Sequence, residues 1–163
     1  MSALVPLLDL ATWIPIVDGD PIASAMYERH YSAERSLERR RSRGALQIVG
    51  PCERLVLMTP CRQALFAWRR HRVRDDDQSG IECSIFRNEG AGLASALVRA
   101  ADLIADRRWP GQRHFTFVDE DRVGGDPPGN CFLHAGWQFV LTVAGERKRT
   151  KERGLLILER SSA

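Results

Sequence analysis

The stretch Ile81-Glu82-Cys83-Ser84-Ile85-Phe86-Arg87-Asn88-Glu89-Gly90-Ala91-Gly92 decides how this 163-residue chain is read. Ile81–Phe86 is an apolar run with the character of a buried strand, and Arg87–Gly92 is a glycine-bearing turn. After Gly92 the period changes. Leu93, Leu97, Ala100, Ala101 and Ile104 fall on one helical face, while Ser95, Arg99, Asp102 and Asp106 lie off it. Arg107-Arg108 places cations at the helix C-terminus, and Trp109-Pro110-Gly111 ends it. A strand, a glycine turn and a helix start in succession make an anion site. The first N–H groups of the helix point outward, its dipole favours negative charge, and glycine lets a phosphate approach closely. Glycines also serve tight turns for geometry alone, so the surrounding elements have to decide.

Upstream, Thr12–Val17 reads as a first strand, with Pro15 marking an edge. Asp20 is placed as the N-cap of a helix with Pro21 at its first position, and Ile22, Met26 and Tyr27 form a stripe running into Arg29-His30-Tyr31. Arg54–Met58 and Ala64–Arg69 read as strands joined by the turn Thr59-Pro60-Cys61-Arg62, and the polar loop Asp75–Gly80 precedes Ile81. Downstream, Phe115–Val118 is a strand, and Asn130–Ala135 is a short helix closed by Gly136 in the left-handed region. Gln138–Val143 and Leu155–Leu158 are the last strands, separated by a basic connection through Arg147, Lys148, Arg149 and Lys151. The order is strand, helix, three strands, long helix, strand, short helix, two strands. Nothing marks a second domain, so residues 1–163 read as one.

The 44% hydrophobic and 28% charged composition is that of a soluble globular chain. No apolar run reaches the roughly 20 residues a membrane span needs, and the N-terminus lacks a basic lead, so the expected location is cytoplasmic. Cysteines 52, 61, 83 and 131 have no C-x-x-C spacing, which argues against a zinc site, and Cys83 reads as a small core residue. Of the 24 basic residues only Lys148 and Lys151 are lysines, leaving 22 arginines in a net charge of +3. A GC-rich genome accounts for such a bias, and so does phosphate contact, to which the guanidinium fork is suited. The run from Arg35 to Arg43, with Arg39, Arg40, Arg41 and Arg43, reads either as a solvated face or as an arm that touches DNA.

Arg87-x-x-Gly90-x-Gly92, set between that strand and that helix, resembles the pyrophosphate-binding pattern of the GNAT (GCN5-related N-acetyltransferase) superfamily. Asn130–Trp137 resembles the same superfamily's fourth helix. The resemblance implies an α/β (α+β) fold with a mixed central sheet of about six to seven strands flanked by helices. It also implies acetyl-CoA or another acyl-CoA as cofactor, held by Arg87, Asn88, Gly90, Ala91 and Gly92. One departure stands out: many members carry a tyrosine general acid where this chain has Phe132, so either Cys131, His134 or a water takes its place, or the chemistry is not ordinary acetyl transfer. Glu89 is awkward beside phosphates and is expected to turn away and pair with an arginine.

Within the superfamily, Arg29-His30-Tyr31-Ser32, Phe86–Glu89, Phe115–Asp119 and Asn130-Cys131-Phe132 with Gly136-Trp137 are similar to phage Mom-type DNA-modification proteins. That resemblance implies an anti-restriction enzyme of bacteriophage, working in the host cytoplasm on the exocyclic amine of adenine, with Fe2+ beside or instead of an acetyl donor. His30, Tyr31 and Asp119 are the candidate catalytic residues and the candidate metal set, suited to iron coordination or to general base work on an amine. His71 and His114 read as exposed, and Trp68 and Trp137 as core or groove-wall residues rather than base-stacking platforms. Two other functions fit the residues: a conventional N-acetyltransferase of a small amine or protein, and an inactive GNAT fold that binds without catalysis. A homodimer is compatible with either.

Overall fold

The structure is a computed structural model that describes residues 12–30 and 46–161. Its elements are β1 (Ile14–Ile16), α1 (Pro21–Glu28), β2 (Glu53–Met58), β3 (Ala64–Arg70), β4 (Ile81–Asn88), α2 (Ala94–Arg108), β5 (His114–Val118), α3 (Asn130–His134), β6 (Gln138–Phe139) and β7 (Leu156–Arg160). They follow the expected order, and the seven strands form a mixed sheet in the order β1-β2-β3-β4-β5-β7-β6. The chain divides into two compact units. One takes the described residues up to Arg70 together with Ser84–Gly92; the other takes His71–Cys83 and the described residues from Leu93 on.

The first unit is built on an antiparallel meander. β1 pairs with β2 from Ile14↔Met58 to Ile16↔Val56, and β2 pairs with β3 from Glu53↔Arg70 to Met58↔Leu65. β1 is an edge strand, which is why Pro15 is tolerated: no further strand needs an N–H from it. The Asp20 carboxylate accepts from the N–H groups of Ile22 and Ala23 at 2.9 and 3.0 Å, so the expected cap of α1 is present. The buried face of α1 is Ala23, Ser24, Met26 and Tyr27, while Ile22 is exposed. Met26 and Tyr27 share a core with Val56, Met58, Leu65, Ala67 and Ile85, with Ile48 and Val49 packed against it. Asp18 secures that last contact. Its buried carboxylate accepts from the consecutive N–H groups of Ile48, Val49 and Gly50 and lies 3.2 Å from Arg54 Nε.

In the second unit the first residues of β4 pair in parallel with β5, Ile81↔His114 to Cys83↔Thr116, and β7 pairs antiparallel along the whole of β5. Gly80 permits the close approach: a Cβ there would lie 2.2 Å from the Arg113 carbonyl oxygen, which accepts the Ile81 N–H at 2.8 Å. Gln138–Val143 does not form one long strand. β6 ends at Phe139 because the chain then pairs with its own return segment, Lys148 N–H donating to the Val140 carbonyl and Leu141 bridging to Arg147.

Helix α2 is present but rotated from the expected face. Leu93 is its exposed N-cap residue, and Ser95, Leu97, Val98, Ala101, Asp102 and Ala105 are buried. Asp102 is only 2% exposed because its needs are met. It accepts from Trp137 Nε1 at 2.8 Å and meets His114 Nδ1 at 2.8 Å, with Arg160 Nε 3.8 Å away. His114, expected at the surface, is fully buried at the start of β5 for the same reason, whereas His71 is exposed as expected and Trp68 and Trp137, read as core or groove wall, are buried in the core. Among the described residues no helix is long and apolar enough to cross a membrane.

Asp102→Ala removes the acceptor shared by two buried donors, and it should lower unfolding stability by about 3 kcal/mol. Urea denaturation checks this. Asp102→Asn, which keeps one acceptor oxygen, should lose clearly less.

Candidate functional site

β4 runs directly into the glycine turn. The Asn88 side chain folds that turn: its Oδ1 accepts from the N–H groups of Gly90 and Ala91 at 3.2 and 2.9 Å, and its Nδ2 donates to the Gly92 carbonyl at 2.8 Å. Two of the turn's N–H groups are therefore directed to Asn88, and this residue acts as an internal brace. Gly92 has φ +140, and a Cβ added there would meet nothing within 4 Å. What its missing side chain leaves is open space. Leu93 then caps α2 with no side-chain hydrogen bond, so the first turn of this 15-residue helix has none of the carboxylate capping that Asp20 supplies to α1.

Glu89 pairs with arginine as expected, and with two of them. Its carboxylate takes a two-pronged contact from Arg29, Nη2 to Oε1 at 2.7 Å and Nε to Oε2 at 3.0 Å. Arg87 Nε donates to the same Oε2 at 2.5 Å, and Arg87 Nη1 donates to the Arg29 carbonyl at 2.7 Å. The hydrogen bond from Arg29, then that from Arg87, holds the Glu89 carboxyl down at about 2, so it is ionised throughout the neutral range. The part played by Arg29 was not read from the sequence, which showed only that Glu89 needed a cation.

His30 follows α1 and is 8% exposed. Burial pushes its ring down to about 4, a hydrogen bond with the Phe86 backbone opposes this, and the Arg87 charge adds to the lowering. The imidazole is thus uncharged at neutral pH and joins the end of α1 to β4. Asp119, in the other unit, directly follows β5. Its carbonyl accepts from Arg122 and Val123 N–H, and its Oδ1 accepts from Asp121 N–H at 3.2 Å, so the carboxylate shapes the turn after the strand. Tyr31 and the arginines Arg39, Arg40, Arg41 and Arg43 lie outside the described residues. Among the described residues no three His, Cys, Asp or Glu side chains gather as a metal site.

In α3, Phe132 is buried with its ring centroid 4.8 Å from that of Trp137 and has no proton to give. Its neighbour Cys131 is partly buried, and burial pushes the thiol up, so it stays protonated. His134 is exposed, and its carbonyl accepts from Arg99. All four cysteines are free thiols.

No protein-family model matches this sequence, and no curated protein matches it. Among solved structures the chain is similar to a Corynebacterium glutamicum protein described as "histone acetyltransferase HPA2 and related acetyltransferase". The TM-score is 0.54 over 93% of this chain and 96% of that one, at 10% sequence identity. The likeness is one of fold alone: a mixed seven-stranded sheet flanked by helices. It carries no link to Mom-type proteins.

The folded His30 value, about 4, lies below the ordinary 6.5, so between those limits the unfolded chain binds the extra proton. The stability contributed by the neutral ring is complete above pH 6.5 and is lost as pH falls towards 4. The full loss is on the order of 3 kcal/mol. Unfolding measured from pH 4 to 7 should show this slope in the parent protein and a flatter one in His30→Gln.

Proposed function

We propose that this chain is an acyl-CoA-dependent N-acyltransferase of GNAT fold, in which the turn Arg87–Gly92 takes the cofactor's pyrophosphate. One observation supports this above the others. A helix without side-chain capping begins immediately after a turn in which Gly92, at φ +140, leaves open space where a side chain would stand. The Arg87 guanidinium, with several N–H donors in a planar fork, suits a phosphate group. Acetyl-CoA, or another acyl-CoA, would supply the thioester whose acyl group passes to an amine. Asn88 would keep the turn in shape, and Cys131, His134 or a water would return a proton to the departing thiolate. The whole chain, 1–163, would act as one domain.

For the acceptor, the Mom-like reading is the exocyclic amine of adenine in DNA, with the enzyme in the cytoplasm. Its support is cationic. The arginine bias and the exposed Arg147, Lys148, Lys151 and Arg153 of the β6–β7 connection suit a phosphate backbone. Mass spectrometry of nucleosides from DNA of expressing cells should then reveal a mass-shifted adenine. Unmodified DNA together with turnover on a small amine or a protein would assign the conventional acceptor. Coenzyme binding with no turnover would assign a binding module.

Gly90→Asp sets a carboxylate and a strained left-handed residue in the turn, at a position where Gly90 has φ +109. It should abolish coenzyme A binding by calorimetry and leave the circular dichroism of the folded protein in place. Unchanged affinity would remove the cofactor from this turn.

A further inference from the structure

We propose that Arg29 and Arg87 form a two-arginine clamp for the cofactor's pyrophosphate, and that the Glu89 carboxylate occupies this clamp until the cofactor arrives. The inference rests on the acyl-CoA reading and adds Arg29, which lies outside the glycine motif, to the binding site. The contact of Arg29 with Glu89 is fork to fork: Nε and Nη2 each meet a different carboxylate oxygen. That is the same presentation by which arginine takes two oxygens of one phosphate group. Arg87 Nε reaches Oε2, the oxygen that Arg29 Nε also contacts, so two guanidinium groups converge on one atom. Like charges brought together in this way need an anion between them. At present that anion is a single carboxylate.

Arg87 cannot simply swing away, because its Nη1 is tied to the Arg29 carbonyl. The carboxylate is the replaceable partner. Its side chain and that of Arg29 are 26% and 51% exposed, so moving Glu89 into water uncovers little, and an ion pair so exposed is weak. Glu89 is followed by Gly90 at φ +109, which gives the backbone freedom at the point where the side chain would turn out. A pyrophosphate carries more charge and more acceptor oxygens than a carboxylate, so it can engage both forks where Glu89 engages them with two oxygens. Glu89 thus keeps the two arginines in place without a ligand, and it sets a threshold that weaker anions do not cross.

The test is calorimetric titration of the full chain with coenzyme A and, separately, with inorganic pyrophosphate at fixed salt. The proteins are the parent, Glu89→Gln, Glu89→Ala, Arg29→Ala and the double variant Glu89→Gln/Arg29→Ala, with thermal unfolding to confirm that each is folded. Removing the internal competitor should tighten binding of both probes roughly three- to tenfold in both Glu89 variants. Arg29→Ala should weaken binding by a similar factor, and the gain should vanish in the double variant. Equal or weaker binding by the Glu89 variants, with coenzyme A still bound by the parent, overturns the clamp and leaves the acyl-CoA reading standing. A gain that survives without Arg29 also overturns it, since Glu89 would then act only by repulsion. Tighter pyrophosphate binding with no coenzyme A binding by any protein keeps the clamp and ends the acyl-CoA reading. Neither probe bound by any of them ends both.

Discussion

A carboxylate in the middle of α2 sets the terms for the second unit. Asp102 can be buried only where donors come to it, and they come from three directions: His114 at the start of β5, the Trp137 indole after α3, and Arg160 at the end of β7. Each of those contacts fixes a rotation or a register. The helix must turn Asp102 inward, so Leu93 moves out to become an exposed N-cap residue and Val98, Ala101 and Ala105 fill the face around the carboxylate. Arg160 also holds Asp106, one helical turn further on, at 3.0 Å. The apolar residues on that face would tolerate several small rotations of α2, whereas a hydrogen-bonded carboxylate tolerates one.

The first unit uses acids differently, to gather backbone and cations at its margins. Asp18 collects three consecutive N–H groups, and Asp20 caps α1. Glu89 holds two arginines beside the glycine turn. Against this pattern the start of α2 is distinctive. Where α1 has an acid to satisfy its leading N–H groups, α2 begins with a leucine that makes no side-chain cap.

Local chemistry makes much of this legible in the sequence. Asp20 before Pro21, Pro15 in a strand, and Gly136 after a short helix each have a reason confined to a few residues, and each is found as read. The strand–turn–helix from Ile81 to Arg108 belongs to the same class. What escaped depends on partners far along the chain. Asp102 looked like a surface residue because its acceptor role is matched by a donor 35 positions away. His114 carried no sign of burial for the same reason. Glu89 showed its need for a cation, but the partner is 60 positions upstream, on the turn that ends α1. His30 was read as a candidate base, yet the hydrophobic surroundings that hold it neutral are a property of packing, which no short motif reports.

Gly80 bears on how the sheet is kept in phase. A hairpin sets the alignment of its two strands through the turn that joins them, but β4 and β5 run in parallel and share no turn. Alignment must come from elsewhere, and the glycine provides it. The backbone at residue 80 approaches the Arg113 carbonyl so closely that only a residue without a side chain fits, and Ile81 next in line then takes its hydrogen bond. Shifting β4 by one residue would set the branched Ile81 where only glycine can stand, besides turning every inward residue of the strand outward. The misaligned pairing is therefore closed on steric grounds, and the absence of one methyl group works as a stop that admits a single alignment.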